Sequence, residues 1–167
     1  MSPFRVIALV GVVALFVGVV ALGDALAGEK FKLRTVKHSV KWEQINVGDE
    51  EGHVVAINET KGIVSNKEGK WFGDGWLQRY AALFDINPKA GPVANGYEEV
   101  ADRDGDKYYY RWEGRLVSKD YWEGTYIMTK GTGKFEGIRG KGTWSATVVV
   151  PGQFYVDEEW DIELPRR

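Results

Sequence analysis

TWSATVVVPGQFYVDEEWDIEL, residues 143–164, reads as two β-strands folded back on each other at Pro151-Gly152. In the second strand Phe154, Val156, Trp160, Ile162 and Leu164 alternate with Gln153, Tyr155, Asp157, Glu159, Asp161 and Glu163. Such period-2 alternation turns one set toward a core and the other toward solvent. In the first strand Trp144, Ala146, Val148 and Val150 alternate with Thr143, Ser145 and Thr147. Even positions face inward in both.

The parity carries outward from there. Near 107–116 it turns Tyr108, Tyr110 and Trp112 inward and Lys107, Arg111, Glu113 and Arg115 outward, and near 121–129 it turns Trp122, Tyr126 and Met128 inward. Further strands are expected near 31–46, 53–65, 76–87 and 93–101, bounded by Val47-Gly48-Asp49, Lys67-Glu68-Gly69, Asn87-Pro88, Asp104-Gly105-Asp106 and Ser118-Lys119-Asp120. No helical period is found after residue 28. About eight antiparallel strands imply an all-β domain over 28–167, either a sandwich or a closed, calycin-like antiparallel β-barrel. The barrel is preferred because closure removes exposed edges. In the first strand a bulge near Arg34–Thr35 is expected to carry the inward face from Leu33 to Val36, which places His38 inside with Val40 and Trp42.

Residues 1–27 read as a signal peptide: Arg5, an apolar run from Val6 to Leu22, then Ala25-Leu26-Ala27 before cleavage ahead of Gly28. The rival is an uncleaved membrane anchor, against which Asp24 and the Ala-Leu-Ala site argue. The expected location is secreted or periplasmic, with no membrane association after cleavage. The net charge of −2 gives no electrostatic reason to expect nucleic acid or an anionic membrane as partner. The chain has no cysteine, which excludes disulfides, a thiol nucleophile and a thiolate metal site.

Gly131-Thr132-Gly133-Lys134-Phe135-Glu136-Gly137-Ile138-Arg139-Gly140-Lys141-Gly142-Thr143-Trp144 reads as a kinked crossing between strands, anchored by Phe135 and Ile138. No helix follows it, which argues against a phosphate cradle. The pattern G-T-G-x-F-x-G-I-x-G-x-G-x-W resembles the crossing near the C-terminus of the allene-oxide-cyclase-like and dirigent-type barrels. The resemblance implies an eight-stranded barrel with an internal cavity and assembly as a homo-oligomer, a dimer or trimer. It transfers no catalytic side chain onto this sequence.

Inward polar residues are informative because burial obliges them to find partners. Glu158 interrupts the apolar face of the last strand, and Gln78 lies with Trp76, Tyr80, Ala82 and Phe84. Closure makes the first and last strands neighbours, so His38 and Glu158 are candidates for an acid–base pair. The expected ligand-binding wall is Gln78, Tyr80, Tyr110, Trp112, Trp122, Tyr126, Trp144 and Trp160. The rival reading of Glu158 and His38 is a structural hydrogen bond, or a bulge that turns one of them out to water.

Other patterns have simpler readings. Glu113 and Glu123 are placed opposite each other on the outer face, where a solvated surface competes with glycoside chemistry. Asp102-Arg103-Asp104-Gly105-Asp106 has calcium-loop acids but Lys107 where that loop needs glycine, and a hairpin turn explains it. Trp71-Phe72-Gly73-Asp74-Gly75-Trp76 is a barrel plug or a lid, and Asn58-Glu59-Thr60 is a glycosylation sequon. Three functions stay open: a binder of a small, largely apolar molecule, a cyclase or isomerase using shape and one acid or base without a cofactor or metal, and a structural barrel with a filled core. A continuous cavity of roughly 300 Å³ or more favours the first two.

Overall fold

The computed structural model describes residues 28–165; the leader read at 1–27 lies outside them. Eight strands follow one another: β1 Glu29–Asn46, β2 Val54–Asn66, β3 Trp76–Ile86, β4 Val93–Ala101, β5 Lys107–Ser118, β6 Tyr121–Gly131, β7 Arg139–Val150 and β8 Gln153–Glu163. Each pairs antiparallel with its sequence neighbours, and β8 pairs back onto β1. The result is a closed up-and-down barrel, not a sandwich. A 3₁₀ turn, Gly133–Phe135, sits in the crossing between β6 and β7.

The even face of β5 to β8 does line the lumen: Tyr108, Tyr110, Trp112, Tyr126, Trp144, Ala146, Val156, Trp160 and Ile162 are buried. So are Trp76, Gln78, Tyr80 and Ala82 of β3. Two glycines make room for this much ring surface. Gly114 of β5 pairs with Gly124 of β6, and the Trp144 indole packs against both. A Cβ at Gly124 would overlap that indole and the Glu113 carbonyl oxygen.

β1 departs from expectation. Its register irregularity lies between Ser39 and Lys41, not at Arg34–Thr35. The odd face therefore continues inward through Phe31, Leu33, Thr35 and Lys37, and His38 is exposed on the outer wall beside Val36. Val36, Ile63 and Leu77 are register neighbours on that wall and more than half exposed. They are apolar residues on the wet side, and they imitate a core face in sequence.

One end of the barrel is closed. Phe72 is completely buried, stacks on Phe31 with centroids 4.6 Å apart, and packs against Trp76, Tyr108 and Phe135. The Trp71–Trp76 loop is thus a plug, although Trp71 itself stays exposed. Phe135 and Ile138 are buried anchors, as the crossing motif implied. Asp102 Oδ1 accepts the backbone N–H groups of Asp104 and Asp106, and Lys134 pairs with Asp102 and Asp104, so the acidic loop is a closed turn. Asn58 of the sequon is buried and faces inward, so the folded barrel withholds it from a glycan.

The Trp144–glycine contact is testable. Gly124→Ala should destabilise the barrel by roughly 1–3 kcal/mol or more in urea unfolding, because the new methyl meets a ring and backbone. Thr125→Val, one residue away on the exposed outer face, should stay within about 0.5 kcal/mol of the parent. Equal stability for both would refute the packing account.

Candidate functional site

The end of the barrel opposite the plug opens into a cavity of about 180 Å³. Trp42, Phe84, Trp122 and Phe154 form its mouth, with Trp42–Phe84 and Phe84–Trp122 centroids 5.4 and 5.6 Å apart. Tyr80, Trp112, Tyr126, Trp144, Ala146 and Val156 form its wall. Trp112 stands edge-on to Tyr80 at 5.3 Å and to Trp144 at 5.6 Å, so the rings brace one another. A larger depression, about 910 Å³, lies on the outer wall among charged side chains such as Lys32, Arg115, Glu123 and Glu159. Its lining is largely charged and polar, whereas that of the lumen is largely aromatic.

At the floor of the cavity is an ion pair. Lys37 Nζ stands 2.5 Å from Glu98 Oε1, with the two side chains 3% and 1% exposed. The ammonium also lies 5.0 Å from the centroid of Tyr80. Burial is the chief cause that pushes the Glu98 carboxyl up to about 7; Lys37 opposes the rise and Glu158 adds to it. Asn58 Oδ1 and Trp112 Nε1, both on the cavity wall, have no partner among the described residues. A buried donor and a buried acceptor left unpaired beside a cavity are available to a bound molecule.

Glu158 is inside the barrel, as its parity implied, but below the cavity. Its Oε1 accepts the Thr35 hydroxyl at 2.7 Å and its Oε2 accepts the Trp160 indole N–H at 2.8 Å. His38 does not meet it: His38 pairs in register with Gln153 and Lys61 on the outer wall, so the expected acid–base pair does not exist. Gln78 donates to the Tyr110 hydroxyl, and these two with Trp160 pack between the cavity and the plug. Of the expected ligand wall, Tyr80, Trp112, Trp122, Tyr126 and Trp144 line the cavity; Gln78, Tyr110 and Trp160 support it from beneath.

Burial, followed by the charges of Glu98 and Glu158, raises the Tyr108, Tyr110 and Tyr126 hydroxyls well above their usual range. All three remain neutral hydrogen-bond donors. On the outer wall Glu113 pairs in register with Thr125 and Glu123 with Arg115, so the two carboxylates are not opposite each other. Arg115 Nη2 donates to Glu123 at 2.8 Å.

Sequence reasoning missed both members of the floor pair. Lys37 was detectable by carrying the odd face of Phe31 and Leu33 two steps further. Glu98 was detectable from the even face that Ala94 and Val100 define.

No family model and no curated protein sequence matches the chain. Solved structures do. A pyocyanin demethylase is 17% identical, with 81% of this chain and all of that one covered at a TM-score of 0.50. A pterocarpan synthase dirigent protein is 11% identical over 84% of this chain and 99% of that one, at 0.54. A second protein of the same description is 12% identical over 83% and 93%, at 0.51. The chain has the allene-oxide-cyclase-like barrel fold that these proteins share.

The floor pair predicts a pH dependence. The folded Glu98 carboxyl titrates near 7, against an ordinary value of 4.5, so between those values the native state holds a proton that the unfolded chain releases. Stability should therefore fall as pH rises from about 4.5 to about 7, by at most about 1.4 kcal/mol per pH unit from this group. His53, whose imidazole is raised by its hydrogen bonds to Asp49 and Asp85, adds a slope of the same sign at higher pH. Chemical denaturation across this range with Glu98→Gln beside the parent isolates the contribution of this carboxyl. An unchanged slope in the variant would rule Glu98 out.

Proposed function

We propose that the barrel holds a small, largely apolar molecule carrying one hydrogen-bonding group, with its rings between Trp112, Trp122, Trp144 and Tyr80 and its polar group at Lys37–Glu98. The observation that supports this most directly is the polar floor itself, a buried ion pair at the bottom of an otherwise aromatic cavity, with Asn58 Oδ1 and Trp112 Nε1 unpaired on the wall. Ligand sites have this make-up, many apolar contacts and a few placed polar groups. At about 180 Å³ the space falls short of the roughly 300 Å³ expected of a binder or enzyme, so its volume does not carry the reading, and an occupant is limited to a molecule of about one or two rings. The lower half of the lumen is packed, as a structural barrel would be, and only the upper half is a container.

An isomerase or cyclase is the second reading. A carboxyl that titrates near 7 and faces an apolar cavity is suited to giving and taking a proton at neutral pH. In that reading the acid is Glu98 and not Glu158, whose two oxygens are already engaged. The pyocyanin demethylase and the pterocarpan synthases of this fold carry the names of enzymes, which keeps that reading open without transferring a substrate. The leader pattern at 1–27 adds an export pathway to the proposal, so the occupant is one met outside the cytoplasm.

Native mass spectrometry of the protein purified from its own source should show a retained small molecule. Ala146→Phe, which puts a ring into the space, should weaken its binding by at least roughly tenfold, about 1.4 kcal/mol. The fold should survive, with a melting temperature near the parent's. Parent protein with no retained mass, whose indole fluorescence responds to no one- or two-ring aromatic, would refute the container. Binding without turnover in both the parent and Glu98→Gln would leave the binder and remove the enzyme.

A further inference from the structure

We propose that Lys37 captures a small aldehyde as an imine at the floor of the cavity. This rests on the container reading above and gives its occupant a chemical class, a carbonyl compound of about one ring.

Geometry separates Lys37 from the outer lysines. Lys32, Lys41 and Lys67 have exposed side chains and pair with surface carboxylates. Lys37 ends inside the lumen, its ammonium touching Glu98 and facing the Tyr80 ring, with Ala146, Val156 and Trp112 around the space above it. An ion pair buried this deeply is a poor device for stability, since apolar replacements of similar volume are often as good or better. The position of Lys37 at the end of an apolar cavity is instead that of a carbonyl-capturing lysine, where a bound carbonyl compound is held against the amine. The carboxylate 2.5 Å away is placed to receive the proton that the amine must lose.

The step balances on these two residues. A proton passes from Lys37 Nζ to Glu98 Oε1. The Nζ lone pair then forms the C–N bond as the carbonyl π pair moves to oxygen, and that oxygen takes a proton from the new ammonium. Glu98 next returns its proton to the hydroxyl, the C–O bond breaks as nitrogen forms C=N, and water leaves through the Trp42–Phe84–Trp122 mouth. One ammonium and one carbonyl give one iminium and one water, nothing is oxidised or reduced, and the iminium keeps Glu98 as its counter-ion. Walls of aromatic rings favour an aldehyde conjugated to a ring, and the volume excludes a long chain.

Benzaldehyde with cyanoborohydride is the test, with benzyl alcohol as a partner of similar shape that fills the space and cannot condense. Binding is followed by the fluorescence of Trp112, Trp122 and Trp144, and covalent capture by intact mass and peptide mapping. The proposal expects one benzyl adduct per chain, on Lys37, with Lys32, Lys41 and Lys67 modified at least about tenfold less, as hydrated surface amines should be. Excess benzyl alcohol should suppress it, and Lys37→Met should bind benzaldehyde without trapping it. Fluorescence binding of both compounds with Lys37 unmodified, or adducts spread evenly over the outer lysines, overturns capture and leaves the container standing. No fluorescence response to either compound removes both.

Discussion

Pairing of Glu29–His38 with Gln153–Ile162 closes the sheet, and every other feature of this molecule is a consequence. Closure converts a period-2 alternation into an inside and an outside and leaves no edge strand to pair with another chain. It also fixes the interior volume before any side chain is chosen. The lumen is then filled in layers: an aromatic plug around Phe72, a polar layer, and an aromatic ring around a space that the side chains leave unfilled.

The polar layer is where the electrostatics are decided. Two carboxylates and one ammonium lie within it, so the layer carries one negative charge more than it can pair. Glu158 is satisfied locally, by one hydroxyl and one indole N–H. Glu98 must share its stabilisation between a lysine that favours its charge and a burial that opposes it, and burial dominates. The surrounding tyrosines add no charge of their own, because the same burial and the same two acids hold their protons on. Proton uptake by Glu98 is therefore the response the layer has left. A bound molecule that donates to Glu98 would serve the same end.

Much of this was legible in the residues. All eight strands fall where alternation and turn chemistry place them, because a meander barrel uses only sequence-local pairings plus one closure. The even face from Tyr108 to Ile162 was readable because outward charges such as Arg111, Glu159 and Asp161 alternate with rings. The first strand was not, and the reason is physical. Val36 and Val40 lie on the outside, where a protein has too few polar residues to cover its whole surface. They made His38 look inward and Lys37 outward. Glu98-Glu99 hid the second member of the pair, since adjacent acids give no parity of their own, and exposed Tyr97 suggested the wrong face. Whether the lumen would be filled or hollow depends on summed side-chain volumes against a fixed circumference, which alternation does not encode.

The irregularity between Ser39 and Lys41 has a further role. Before it, β1 sends odd residues inward, so Phe31 and Leu33 reach the plug and Thr35 and Lys37 the polar layer. After it, Trp42 reaches the mouth against Phe84. One strand thereby contributes to all three layers, which no uninterrupted alternation could do with these residues in this order. A slip of one residue would exchange Lys37 for His38 in the lumen and send the ammonium into water. Glu98 would then be a buried carboxylate with a second carboxylate below it and no cation beside it, a state its surroundings would resolve by keeping it protonated. The position of a single backbone irregularity thus decides whether the floor of this cavity is an ion pair with a usable amine or a neutral acid.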